Sequence, residues 1–154
     1  MMIIDQDVIW LDGYLKGLSA ISKYSLFNAL LIELPSSDAI SSYMNYINDS
    51  SDEVLQDIDL PVLSLEESHN QLPWMKVVEA NITKALSFID KDLLQKSISQ
   101  VLDILESNIL ENGLENVKLY KAKMGEYIGD YLFFKIKNNN YLVVSFLHDL
   151  VEIN

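Results

Sequence analysis

Apolar residues recur at intervals of three and four along four segments, which is the period of one face of a helix. The segments are residues 7–20, 40–47, 74–89 and 94–109. Pro73 comes immediately before the third, and proline suits the first turn of a helix because its missing N–H costs nothing there. The pattern therefore predicts four amphipathic helices in the first two thirds of the chain.

Residues 25–34, SLFNALLIEL, fit two structures. Leu26, Leu30 and Leu34 recur at a helical interval, so a helix is one interpretation. A short apolar run is also consistent with a buried strand, since periodicity alone does not separate the two. Both alternatives stay open from the sequence.

The period changes after Gly113. Residues 116–123 alternate between apolar and polar, while residues 131–137 and 141–147 are rich in aromatic and β-branched residues, as strands are. Asparagines at 138–140 suit a hairpin turn. We expect an antiparallel sheet of three or four strands, with Leu132, Phe134 and Ile136 facing the helices, and a loop over residues 59–72. The predicted class is α+β, with a helix-rich N-terminal two thirds packed on a small C-terminal sheet.

Composition indicates a single acidic domain spanning residues 1–154. The chain contains no cysteine, which fits a cytoplasmic protein. The first ten residues lack the basic and then apolar pattern of a secretory signal. No apolar run approaches the roughly 20 residues that cross a bilayer, so we expect no membrane partner.

Negative charge is concentrated in the first half of the chain. The formal net charge is −12, and no basic residue occurs between Lys23 and Lys76, whereas nine acids do. The chain has 11 basic residues, and all are lysine. Without arginine, which grips phosphate through two parallel hydrogen bonds, and with this net charge, the sequence argues against nucleic acid as a partner.

No sequence motif identifies a reaction. Glycine loops for phosphate and the GxSxG serine motif are absent. Glu66, Glu67 and His69 are the best metal-ligand candidates, but they follow no established ligand spacing, and we expect a solvated acidic loop there. His148 and Asp149 follow the last predicted strand and are expected to be a surface pair. We predict no enzyme and no cofactor.

The lysine-free stretch, residues 24–75, has a functional interpretation besides solubility. Uncompensated acids repel one another and lower stability, whereas a negative surface speeds the encounter with a positive protein. We therefore hypothesise a non-catalytic inhibitor of a basic protein, most simply a bacterial toxin-immunity protein that covers the active site of a nuclease-type toxin. Its expected state is a monomer or weak dimer. The candidate partner-binding residues are Asp49, Asp52, Glu53, Asp57, Asp59, Glu66, Glu67, Tyr46 and Trp74.

Two alternatives remain. An acidic secretion chaperone for an effector protein would share the size and charge of this chain, and it would form a dimer that binds an unfolded segment. A small metal-dependent enzyme would use Glu66, Glu67 and His69, and its purified form would contain metal.

Overall fold

The computed structural model describes residues 2–34, 39–52, 62–68, 73–112, 117–135 and 140–149. These ranges contain four helices and one sheet of five antiparallel strands, which confirms the α+β class but exceeds the three or four strands predicted. The elements in chain order are α1 (Met2–Ser22), β1 (Ser25–Glu33), α2 (Ala39–Asp52), β2 (Leu63–Glu67), α3 (Trp74–Leu86), α4 (Lys91–Asn112), β3 (Val117–Met124), β4 (Tyr127–Lys135) and β5 (Asn140–Asp149).

The ambiguous segment 25–34 forms a strand. All nine residues of β1 pair with β5, from Ser25 opposite His148 to Glu33 opposite Asn140. An interval of four residues is also a multiple of the two-residue period of a strand, so Leu26 and Leu30 lie on one face of β1 and fit either structure. Apolar residues on both faces of the strand added to the ambiguity. Phe27 packs into the core on one face, while Leu30 packs on the other.

Strand β2 corrects the predicted loop over residues 59–72. Residues 63–67 pair with β3, so that the strand order across the sheet is β1-β5-β4-β3-β2. Only Leu63 and Leu65 carry the apolar alternation, and prolines flank the segment at positions 61 and 73. Two alternating positions were too few to reveal a strand against those turn signals.

Helices α1, α3 and α4 pack on one face of the sheet. The predicted stripes are confirmed: the buried residues of these helices are Val8, Leu11, Leu15, Leu18, Val78, Ile82, Ala85, Leu86, Ile98, Val101 and Leu105. They meet the sheet at side chains that include Leu132 and Phe134, as expected. Ile136 lies outside the described residues.

Among the described helices, α2 packs on the opposite face. Its Tyr43 is 2% exposed and lies edge-on to Phe133, with ring centroids 5.2 Å apart. The ring also meets Tyr131 at 5.9 Å. This second cluster is smaller and richer in tyrosine than the first, and it fixes α2 against β4.

The two outer strands of the sheet differ in what lies beside them. At β1, the Asp12 Oδ1 of α1 accepts a hydrogen bond of 2.9 Å from the backbone N–H of Ala29, so α1 covers this edge. At β2, the residues Ser64, Glu66 and Glu67 are exposed. Charged side chains on an exposed edge strand discourage pairing with another sheet, and they also define a surface that a partner meets first.

Candidate functional site

Of the predicted partner-binding acids, Asp49 and Asp52 lie in α2, and Glu66 and Glu67 lie in β2. Asn48 near the end of α2 holds the start of β2 through its side-chain amide. Its Oδ1 accepts from the backbone N–H of Leu63 at 3.1 Å, and its Nδ2 donates to the Leu63 carbonyl at 3.5 Å. Residues 49–62, within the lysine-free stretch, therefore lie between two residues that are hydrogen-bonded to each other.

We call Tyr46, Asp49 and Asp52 of α2, together with Glu66 and Glu67 of β2, the α2–β2 surface. The Tyr46 side chain is 50% exposed, and both glutamates are exposed. Asp49 and Asp52 occupy the last turn of α2, beyond Asn48, and their side chains are not described. Glu53, Asp57 and Asp59 lie outside the described residues.

The two glutamates point to opposite faces of the sheet, because neighbouring residues of a strand alternate. Glu67 is opposite Tyr120, which packs in the cluster beneath α2, so Glu67 shares the α2 face. Glu66 is opposite Lys121 on the other face. The two charges are adjacent in the sequence, but the strand places them on opposite faces of the sheet at its β2 edge.

Trp74 is separated from Tyr46 by the sheet. It is the first residue of α3, and its ring lies edge-on to Phe134 with centroids 5.4 Å apart. It is half-buried against the core on the face opposite α2. The structure therefore does not bring the two predicted aromatic anchors together, and Tyr46 is the one beside the acids.

A chain of hydrogen-bonded polar side chains runs from the buried residue Ser25 to the exposed residue Lys121. Ser25 Oγ lies 2.8 Å from His148 Nδ1, and His148 Nε2 lies 2.8 Å from Asn81 Oδ1. Asn81 Nδ2 donates to Asp130 Oδ2 at 2.9 Å, and the Lys121 ammonium donates to Asp130 Oδ1 at 2.9 Å. Sequence reasoning missed this chain entirely.

The expected surface location of His148 is wrong, since its side chain is 2% exposed. Strand β5 continues to Asp149, beyond the predicted end at 147, and its alternation puts His148 on the same face as Val144 and Phe146. The phenyl ring of Phe27 also packs edge-on to the imidazole, at 5.5 Å. The signal was the two-residue period of the strand, which leads from Val144 through Phe146 to His148.

Hydrogen bonding determines the tautomer of His148. The amide nitrogen of Asn81 donates to Asp130 and to the Val77 carbonyl, so its oxygen is the acceptor that faces the ring. His148 Nε2 therefore carries the hydrogen, and Nδ1 accepts from Ser25 Oγ. The order of serine, imidazole and orienting amide resembles a nucleophile with its base.

The electrostatics favour a structural role for this chain. Burial, and then the positive charge of Lys84, lower the pKa of His148 from 6.5 to about 4, although Asp130 opposes the shift. A general base works best when its pKa is near the operating pH, and this imidazole is too weak a base to activate Ser25 efficiently. The chain instead satisfies polar groups that would be costly to bury alone.

Two cavities adjoin these residues. One of about 590 Å³ lies between α1, α2 and the sheet, within the size range of small-molecule sites. Two polar side chains of its lining bond each other, since Ser145 Oγ donates to Asn28 Oδ1. Burial raises the pKa of Tyr131 and of Tyr43, so both phenols stay protonated. The second, of about 340 Å³, is lined by residues that include Asn81, Lys84, Asp130 and His148.

The metal-dependent alternative gains no support from the described residues. Across those residues, no group of three His, Asp or Glu side chains is placed to hold a metal ion. Glu66 and Glu67 point to opposite faces, and His69 lies outside the described residues.

In the described part of the chain, no helix is both long and apolar enough to cross a membrane.

No protein-family model matches this chain, and no curated protein matches it significantly. The geometry and charge of the molecule are therefore the basis for a functional proposal.

Proposed function

We propose that this protein is a non-catalytic inhibitor that binds a basic protein through the α2–β2 surface. In this proposal it is a bacterial toxin-immunity protein that covers the active site of a basic, nuclease-type toxin domain. The observation that carries the proposal is the pair of hydrogen bonds that joins Asn48 of α2 to Leu63 of β2, an edge strand that exposes Glu66 and Glu67.

Charge pairing supports this choice of surface. The described ion pairs are Lys16–Asp12, Lys76–Glu79 and Lys121–Asp130. Of the acids in the lysine-free stretch whose side chains are described, which are Glu33, Glu66 and Glu67, none takes part in these ion pairs. A carboxylate that is already paired attracts a cationic partner weakly, whereas one outside an ion pair attracts a cation over a range set by the screening length, about 10 Å in 0.1 M salt.

The mechanism of inhibition follows from what a nuclease must bind. Its active site holds phosphates in a positively charged groove, and protein carboxylates compete for the same cationic groups. Complementary charge raises association rates to about 10⁸–10⁹ M⁻¹s⁻¹ at low salt. Tyr46, 50% exposed on α2, supplies an apolar contact beside these charges, and tyrosine is enriched among residues that dominate interface energies.

The direct test uses the protein domain encoded immediately upstream of this protein's gene, which the proposal predicts to be a nuclease-type toxin. We expect an equimolar amount of the protein to abolish the domain's nuclease activity. The variant Asp49→Asn/Asp52→Asn/Glu66→Gln/Glu67→Gln is expected to inhibit at least about tenfold less well at low salt, because it removes four steering charges while keeping the size of each side chain.

The matched control is Asp90→Asn/Asp92→Asn/Asp103→Asn/Glu106→Gln, which removes four exposed acids on or beside α4. It changes the net charge by the same amount, so it is expected to inhibit like the unaltered protein. Full nuclease activity in the presence of the unaltered protein would contradict the proposal. A gene neighbourhood containing only metabolic enzymes would contradict it as well.

A further inference from the structure

The outward side of α1 is nearly free of charge. The helix buries Val8, Leu11, Leu15 and Leu18 against the core. The side pointing away from the core exposes seven uncharged residues, which we call the outer face of α1: Gln6, Ile9, Trp10, Gly13, Gly17, Ala20 and Ile21. At its border, the ammonium of Lys16 is paired with Asp12 at 2.8 Å.

This face is unusual for a protein with a net charge of −12. Surface helices normally carry polar residues opposite their apolar stripe, as α4 does with Asp92, Asp103 and Glu106. On α1 the large apolar side chains stay in solvent instead: Ile9 is 73% exposed, Ile21 53% and Trp10 43%. A helix that is apolar all round is typically buried on all sides, and a contiguous exposed apolar patch marks a site of interaction.

We propose that the outer face of α1 is the contact between two copies of this protein. The net charge of the protein favours a second copy, rather than a cationic protein, as the partner of this face. Two copies that each carry −12 repel one another wherever acids face acids, so they associate only through a face that has none. A cationic partner, in contrast, gains nothing from a face without carboxylates and is drawn to the α2–β2 surface.

The face is also self-complementary in shape. An antiparallel pair of α1 helices with its twofold axis midway between Gly13 and Gly17 sets Ile9 of one copy against Ile21 of the other. The same axis sets Trp10 of one copy against the small Ala20 of the other. Apart from the neighbouring backbone of α1 itself, no heavy atom of the described residues lies within 4 Å of a Cβ built at either glycine, which leaves space for a second helix.

The size of the contact sets the expected affinity. A helix of 21 residues is about 31 Å long, at 1.5 Å per residue. One pair of such helices buries less than the 1,200–2,000 Å² of a standard stable interface, so the dimer is a weak one with a Kd on the order of 10 µM.

Sedimentation of the full chain over a concentration series from about 1 to 200 µM tests the proposal. The average mass of the unaltered protein is expected to rise from one copy towards two. The variant Gly13→Gln/Gly17→Gln is expected to remain a monomer at every concentration, because its side chains fill the space above the glycines. Glutamine also favours a helix more than glycine does, so this variant keeps its fold.

The control Thr83→Gln/Ser99→Gln, which alters exposed positions on α3 and α4, is expected to dimerise like the unaltered protein. Ile9→Glu, which places a carboxylate against Ile21 of the other copy, provides a second variant that is expected to be monomeric, because burying an unpaired charge is costly. A monomeric unaltered protein at 200 µM overturns the proposal, and so does dimerisation of Gly13→Gln/Gly17→Gln with unchanged affinity. The contact is independent of the proposed inhibition, so both monomeric variants are expected to inhibit normally.

Discussion

Acid is expected to weaken the fold through the buried imidazole of His148. Its pKa is about 4 in the folded protein, compared with 6.5 for an ordinary histidine. Above pH 6.5 the imidazole is neutral in both the folded and the unfolded chain, so its titration does not change the free energy of unfolding. As the pH falls from 6.5 to 4, the unfolded chain takes up a proton that the folded chain refuses, and the folded state loses stability across this window.

The size of the loss follows from the shift, since one pKa unit corresponds to about 1.36 kcal/mol. The free energy of unfolding falls by about 2 kcal/mol at pH 5 and by about 3 kcal/mol at pH 4 from this group alone. Carboxylates titrate in the same range, and relief of their mutual repulsion acts in the opposite direction. The contribution of the imidazole must therefore be isolated by comparison with a variant.

The suitable variant is His148→Gln, which keeps a polar side chain at the position but has no group that titrates. Urea unfolding of both proteins between about pH 7.5 and pH 4 gives two stability curves, and carboxylates and His69 contribute equally to both. The gap between the curves is expected to change by about 2 kcal/mol between pH 7.5 and pH 5 in favour of the variant. Curves that stay parallel over this range would refute the assignment of a buried, neutral imidazole.

Other predictions concern the backbone of the sheet and the anchoring of β2. A Cβ at Gly129 of β4 would overlap the carbonyl oxygen of Phe146, so Gly129→Ala is expected to lower the free energy of unfolding by at least about 2 kcal/mol, whereas Gly13→Ala is expected to raise it by up to about 1 kcal/mol. Urea unfolding at low protein concentration measures both, and equal effects would contradict the geometry. Asn48→Ala removes both hydrogen bonds to Leu63 and is expected to cost about 1–3 kcal/mol, with faster hydrogen exchange in β2. Unchanged exchange at Leu63 would show that this amide does not hold the strand.

The periodicity of apolar residues was sufficient to predict the longer helices and strands. The stripes over residues 74–89 and 94–109 became α3 and α4, because each has enough turns for its apolar face to be unmistakable. The C-terminal strands were equally clear from alternation and aromatic content. The short strand β2 was not predicted, because its five residues include only two apolar positions. Its structure is decided by pairing with β3.

The polar interior was beyond sequence reasoning. Ser25, Asn81, Asp130 and His148 come from four elements, and only the sheet register and the position of α3 bring them within hydrogen-bonding distance. The grouping of acids was visible in the sequence, but their distribution over two faces of β2 was not, because that depends on the strand itself. Pairing of the exposed glutamates with a partner stays a prediction.

The measurement that tests the central proposal most directly is the rate of association with the co-encoded toxin domain as a function of salt. The unaltered protein is expected to associate at about 10⁸ M⁻¹s⁻¹ or faster at low salt and to slow steeply as salt is added. The variant neutralised at Asp49, Asp52, Glu66 and Glu67 is expected to be at least about tenfold slower at low salt and less sensitive to salt, while the α4 control behaves like the unaltered protein. Identical rates and salt slopes for the two neutralised proteins would contradict a role for the α2–β2 surface.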